Sequence, residues 1–376
     1  MIKKSALAVP LMVAAALVLS ACTGAADTGT DTATDEGGTS NEACIASVNE
    51  AVDKAREPLE LTLPSEPIDF SKVEGKNIWI INILTNQMIS DSNEGFTAAA
   101  EAAGVDLTIY DGQGTVSGWN EGIQQAIAQG ADAIALYGID RSLVSEAVKE
   151  AAEAGIIVTE SLALNYDVER HEDLYTTFSA DYYTDGATLA NWTLADSDCT
   201  ASTYLLYSTA LPIWVDMQQG ALDAYAENCP ECDILDENVD PANVATEVPR
   251  VVQTRLTQAP ETGYVLATWD SAAPFIESAA SPINPEVAIL GRDGIEAALD
   301  EIRTGGMMKV TVAAPPPQWI GWTVVDDLLR GIAGQEPNGL VIPTRLIDPT
   351  NVGETDADVM PNYVGFEDEY KKVWGL

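Results

Sequence analysis

Residues 93–109 read "NEGFTAAAEAAGVDLTI", and residues 218–235 read "QQGALDAYAENCPECDIL". Laid on each other they share a plan in which a helical run gives way to a β-rich one, and Gly220 falls on Gly95. Before the first copy, "NIWIINIL" (77–84) has the short apolar run of a strand, and Gly104 closes the helix ahead of "VDLTIYD" (105–111). Helical "WNEGIQQAIAQG", strand-like "ADAIALYG", helical "SLVSEAVKEAAEAG" and strand-like "IIVTES" follow, ending at Ser161. Apolar strands separated by helices of this length predict a parallel sheet covered on both faces.

The second copy extends the same way. "TYLLYST" (203–209) is its first strand, and "VVQTRLTQAPETGYVLATWD" (251–270) tracks "GIQQAIAQGADAIALYGID" (122–140). Gln253 falls on Gln124, Gln258 on Gln129 and, after a gap of one, Asp270 on Asp140, while "VAILGRDG" (287–294) takes the place of "IIVTES". The chain therefore predicts an α/β fold of two similar doubly wound lobes. Such sheets bind ligands at the carboxyl ends of their strands. Two lobes facing each other place Thr85–Met88, Asp111–Gln113, Tyr137–Asp140 and Glu160 opposite Ser208–Trp214, Trp269–Asp270 and Arg292–Asp293.

The ends describe the compartment. Lys3 and Lys4 precede an apolar stretch too short to span a bilayer comfortably, the pattern of a secretory signal over residues 1–21. It closes on "LSAC", which resembles the lipobox of bacterial lipoproteins and implies a lipid on Cys22. Residues 22–43 are small, polar and acidic and read as a tether. Residues 44–75 read as a helix and an extended connector. With 18 Lys+Arg against 59 Asp+Glu and a net charge of −41, nucleic acid and anionic lipid surfaces are poor partners.

Beyond Cys22, Cys44, Cys199, Cys229 and Cys232 allow three pairings. Outside the membrane a structural disulfide is favoured over a zinc or redox site, and His171 is the only histidine. Cys199 and Cys232 precede strands that should be neighbours, so one bridge from Cys199 to Cys232 or Cys229 is expected.

"NEGF", "SADYYTDGATLA", "ATWD", "ILGRDG" and the late helix "GWTVVDDLLRGIAGQ" together resemble the type I periplasmic binding proteins, in particular the ribose-binding branch that serves ABC sugar importers. The likeness runs from about Lys76 to Asn351. It implies a hinge of three crossings, near Ser179–Tyr182 with Asp181, near Ala313–Pro316 with Pro315, and near Leu346–Asp348 with Ile347. The lobes would then be 76–180 with 315–346, and 181–314 with 347–376. It also implies a lipid-anchored, extracytoplasmic monomer that needs no cofactor or metal and hands its ligand to a membrane permease.

The family's binding positions carry over unevenly. Asn86 is retained, Met88 stands where a ring would stack, and Glu160 is the only charge where an Asp-Arg pair is usual. Trp214 stands near a missing arginine, Trp269-Asp270 replaces Asn-Asp, and Asp293 survives beside Arg292, with Gln318 near the late glutamine. Carboxylates and amides bind adjacent hydroxyls while indoles cover C–H faces, so the set suits a neutral sugar or polyol. Each has a structural alternative: Asp293 and Asp270 as turn or cap residues, the tryptophans as packing, Glu160 as a local hydrogen-bond partner. Two rival readings are a sugar hydrolase using Asp293 and Glu160 and a lipoprotein that presents ligand to a membrane sensor.

Overall fold

The computed structural model describes residues 36–376. The expected signal peptide, the lipidation candidate Cys22 and the first part of the tether lie outside the described residues. The described chain opens with α1 (Glu36–Ala55), so residues 36–43, expected as tether, are helical. Cys44, Val48 and Val52 form the buried stripe of α1. Once those turns are nucleated, extending the helix outward costs little.

The first sheet holds β1 (Asn77–Asn82), β2 (Asp106–Asp111), β3 (Ala133–Tyr137), β4 (Ile157–Ser161) and β5 (Thr176–Phe178) in the order β2-β1-β3-β4-β5, all parallel. The second holds β6 (Ser202–Tyr207), β7 (Asp233–Asn238), β8 (Tyr264–Ala267), β9 (Ala288–Asp293), β10 (Met308–Ala313) and β11 (Arg345–Ile347) in the order β11-β10-β9-β8-β6-β7. Without β11 this is the first order repeated strand for strand. The internal duplication read from the sequence is thus a duplication of topology.

The intervening helices are α2 (Gln87–Ala103), α3 (Val116–Ala128) and α4 (Ser145–Glu153) in the first half, and α6 (Pro212–Asn228), α7 (Val244–Gln258), α8 (Ala273–Ala280) and α9 (Glu296–Thr304) in the second. Two helices are exchanged between the halves. After β5 the chain crosses, and α5 (Tyr182–Asp196) packs on α6; after β10 it crosses back, and α10 (Pro317–Ala333) packs on α2. The chain ends with α11 (Asp356–Val359) and α12 (Phe366–Trp374).

The first crossing, with Ser179 and Asp181, and the second, with Pro315, lie between these strands and helices. The third does not lie at Leu346–Asp348. β11 runs antiparallel to β10, with Ile347 opposite Thr311 and Leu346 opposite Val312, so Ile347 is inside the second sheet. The chain crosses before it, where Ile342 bridges to Ala180. A three-residue strand that covers the open edge of β10 explains the difference.

The expected assignment of 347–376 to the second lobe also fails for α12. Phe366, Tyr370 and Trp374 recur four apart and form one aromatic stripe. Trp374 stacks on Trp322 of α10, with centroids 5.1 Å apart, and donates from Nε1 to Asp326 at 2.7 Å. The N-terminal segment divides likewise: α1 packs on α5, whereas Lys72 donates to the Ala333 carbonyl at the end of α10 (2.7 Å).

The disulfides are Cys44–Cys199 and Cys229–Cys232, which overturns the expected bridge from Cys199 to Cys229 or Cys232. Strand adjacency did bring these residues together, since both Sγ atoms lie near the Cys199 carbonyl oxygen, at 3.2 and 3.9 Å. The docking of α1 against α5 supplies the other partner. Cys44–Cys199 spans 155 residues and Cys229–Cys232 only 3. Replacing the first pair by alanine is expected to cost about 2–4 kcal/mol in urea denaturation, and replacing the second pair clearly less, because loop closure scales with span. Equal losses would show that the long bridge constrains little.

Candidate ligand-binding cleft

A cavity of about 310 Å³ lies between the lobes, at the small end of the usual range for ligand sites, roughly 300–1,000 Å³. Met88 and Asp91 from the first turns of α2 and Gln318 from the start of α10 line it from the first lobe. Arg292, Asp293 and Glu296 line it from the second, and Pro315–Pro317 of the second crossing form its back. Of the sequence-predicted binding residues, the structure brings Met88, Asp293 and Gln318 together here.

Arg292 organises the second-lobe wall. It is 4% exposed, and its Nε faces Asp185 Oδ2 at 3.3 Å while Nη1 donates to Asp293 Oδ1 at 3.0 Å. Its guanidinium lies 4.6 Å over the Tyr182 ring, a cation–π arrangement. Its Nη2 is buried with no hydrogen-bond partner among the described residues. Asp185 is pushed up to about 6 by burial, opposed by Arg292 and by the Thr344 hydroxyl, which donates at 2.6 Å. Burial likewise raises Asp293, and Arg292 opposes it. Asp293 also has a φ of 135°, in the region that favours glycine. A non-glycine residue held there is backbone strain of the kind that gathers at functional sites.

Asp270 does not face the cavity. It is 1% exposed, accepts from the Gly294 and Ile295 amides at 2.7 and 3.2 Å, and accepts from the Thr311 hydroxyl at 2.9 Å. It therefore holds the loop after β9 and sets the position of Asp293. Burial first, and then the Asp293 charge, raise its pKa. Asn86 is the N-cap of α2, accepting from the Ile89 amide at 2.9 Å. Trp214 stacks on Trp269 with centroids 4.7 Å apart; Trp269 is buried and Trp214 half-buried.

Glu160 lines a second, smaller cavity of about 170 Å³ within the first lobe, with Arg141, Asn165 and His171. It accepts from the Arg141 amide at 2.7 Å and is pushed up to about 7 by burial, which that amide opposes. On α10, burial pushes Asp327 up to about 8. Glu160, Asp185 and Asp327 therefore bind protons more tightly folded than unfolded. Their contribution is full below the ordinary carboxylate range and is lost as pH rises through about 6 to 8. The protein should be more stable at pH 5 than at pH 8, by about 2 kcal/mol or more in urea denaturation. Glu160→Gln should flatten part of the slope, and greater stability at pH 8 would refute the assignment.

Two lobes of one strand order, exchanged helices and a cavity at their junction define a two-lobed binding protein of the type I periplasmic fold. Residues 78–336 match the periplasmic binding protein domain family, and the chain belongs to it. No curated protein matches the chain. Among solved structures, an ABC sugar transporter subunit from Rhodobacter sphaeroides is similar at 21% identity and a TM-score of 0.65, covering 74% of this chain and 99% of its own. A solute-binding protein from Burkholderia graminis in complex with D-arabinose is similar at 17% and 0.67, covering 75% and 98%. The fructose-binding periplasmic domain of a hybrid two-component system is similar at 18% and 0.67, covering 79% and 97%.

Sequence reading named Tyr182 only as the end of the first hinge crossing and did not single out Asp185. The signal was present in "DYYTDGATLANW", where Asp185 falls at helical spacing on the same face as Tyr182, Leu189 and Trp192, the buried face of α5. Val359 and Met360, which also line the interlobe cavity, had no such signal.

Proposed function

We propose that this protein is an extracytoplasmic solute-binding lipoprotein that closes its lobes on a neutral monosaccharide or polyol and delivers it to the permease of an ABC importer. A lipid on Cys22 holds it at the outer face of the cell membrane, it works as a monomer, and it performs no catalysis. The observation that carries the ligand class is that Arg292, a residue of the interlobe cavity wall, keeps a buried Nη2 with no hydrogen-bond partner among the described residues. A buried donor without a partner costs about 1–3 kcal/mol, which a ligand oxygen offsets. Asp185 and Asp293 already neutralise the guanidinium, and Asp91 and Glu296 add negative charge nearby. A hydroxyl or ring oxygen fits that donor, whereas an anion meets excess carboxylate.

Asp293 accepts from ligand hydroxyls, Gln318 offers an amide, and Met88 an apolar contact. Closure is coupled to the site through Asp185, just after the first crossing, which binds both Arg292 and Thr344 beside the third. The sugars named for the similar structures, D-arabinose and fructose, belong to the same chemical class. The hydrolase alternative needs Asp293 and Glu160 across one bond, and they line two separate cavities. The sensor alternative draws support from the likeness to the two-component domain, and copurification with a permease rather than a kinase separates the two.

The test is thermal and urea stability of the body from Asn41 onward with D-ribose, D-arabinose, D-fructose, D-glucose and allitol, and with glucuronate and amino acids for contrast. A neutral sugar or polyol should stabilise by ~2.7 kcal/mol at a hundredfold excess over its dissociation constant. A response to the charged compounds alone would overturn the ligand class.

A further inference from the structure

Both chain ends pass from one lobe to the other beside the hinge, and they pass together. Arg56, just beyond α1, is fixed to the second lobe: its carbonyl accepts from Arg345 Nε of β11 at 2.8 Å, and its guanidinium pairs with Asp348. The connector then meets the C-terminal segment, where Asn362 donates to the Leu59 carbonyl at 2.8 Å and the Tyr363 hydroxyl to the Glu60 carbonyl at 3.2 Å. At Thr62 it has reached the first lobe, where Trp319 Nε1 donates to its carbonyl at 3.2 Å.

The C-terminal segment makes the same passage. Val359 is held to the second lobe by Arg345 Nη1, which donates to its carbonyl at 2.6 Å. Tyr363 packs edge-on against Trp319 of the first lobe, with centroids 5.4 Å apart. Between these anchors, Val359 and Met360 line the interlobe cavity. Both passages lie outside the span 78–336 that matches the family.

We propose that the two chain ends form a latch, a paired strap on the β11 side of the cleft that presents Val359 and Met360 to the ligand and restrains lobe opening there. The wall role rests on the reading of this cavity as the ligand site; the restraint does not. Three hinge crossings alone allow the lobes to rotate. Two further passages, hydrogen-bonded to each other and anchored on both lobes, must separate or slide before that side of the cleft widens. Cys44–Cys199 pins the N-terminal passage by joining α1 to the second lobe. The extra length thus makes the cleft wall partly from residues outside the shared body.

The experiment cuts the latch in the folded protein. A site-specific protease sequence is inserted in the full chain between Glu57 and Pro58, which are both exposed. After cleavage, α1 stays joined to the second lobe through Cys44–Cys199 and the connector stays on the first, so neither core is altered. Without ligand, cleavage should quicken amide exchange over residues 356–363 by about tenfold and raise the radius of gyration in solution scattering. Unchanged exchange and radius after complete cleavage would overturn the restraint. For the wall, Met360→Trp should weaken the panel sugar that the intact protein binds at least about tenfold, or ~1.4 kcal/mol, with Met360→Ala as the variant that keeps the fold. Unchanged affinity in both would overturn it. If no panel sugar binds the intact protein, the ligand class fails while cleavage still decides the latch.

Discussion

Arg292→Ala is expected to lose about 3–5 kcal/mol of stability at pH 8 and all tight ligand binding, because removing one partner of a buried pair strands the other charge. Asp185, 1% exposed, would keep only the Thr344 hydroxyl, and Asp293 would lose its ion pair. Asp185 can lessen its part of the loss by taking up a proton, since burial already pushes it up to about 6. The loss should therefore be smaller at pH 5 than at pH 8, a dependence that a simple packing defect would lack. Asp185→Asn combined with Arg292→Met should recover much of the stability without recovering binding, since the fully buried charge is then gone and only Asp293, a quarter exposed, is left unpaired. Urea denaturation at the two pH values checks the first claim and ligand titration the second. A loss below about 1 kcal/mol at pH 8 would mean that the guanidinium is far better hydrated than its burial implies.

The lobes were legible because their signal is periodic and occurs twice. Strand and helix runs of ordinary length, repeated with Gly95 and Gly220 in register, define one sheet order and then the other. The switch-point rule placed the cleft, and the strand-end residues Met88 and Asp293 line its cavity together with Gln318, which only the family resemblance implied. The ends were not legible in the same way. β11 is three residues long, too short to carry a pattern. The side on which α12 docks depends on the Trp322 and Trp374 rings meeting in three dimensions. The disulfide error has the same source: strand order placed Cys199 near Cys229 and Cys232, but nothing local in α1 says where Cys44 docks. Among the site residues, a strand-end carboxylate looks the same in sequence whether it faces ligand or backbone. Asp270 and Asn86 are engaged by amides of their own chain. Arg292 was visible as a strand-end residue beside the retained Asp293, yet its role depends on Asp185, which lies 107 residues away.

Gly220→Ala, a single added methyl, is expected to destabilise by about 4 kcal/mol or more, an effect reserved for a few mechanisms of which backbone overpacking is one. A Cβ at Gly220 would lie 1.9 Å from the carbonyl oxygen of Tyr183 on α5, and one at Gly186 on α5 would lie 1.9 Å from the carbonyl oxygen of Met217 on α6. Carbon and carbonyl oxygen settle at about 3.3–3.6 Å, so the helices would have to part by more than an ångström. Both obstacles are helix backbone and cannot swing aside. In the first lobe, a Cβ at Gly95 would lie 2.3 Å from the Gln318 carbonyl oxygen. The glycine repeated in the two halves thus lets each lobe accept the helix that arrives from the other side of the hinge. Gly263, with no atom within 4 Å of a Cβ and no positive φ, is the control: Gly263→Ala should change stability by no more than about 0.5–1 kcal/mol, with gain favoured. If Gly220→Ala fell within 1 kcal/mol of the parent in the same urea titration, the α5–α6 contact would be soft. The matched glycines would then be a relic of the duplication rather than its packing requirement. Gly95→Ala separates stability from function, because the backbone it displaces is that of Gln318 in the cavity wall, so ligand affinity should fall together with stability.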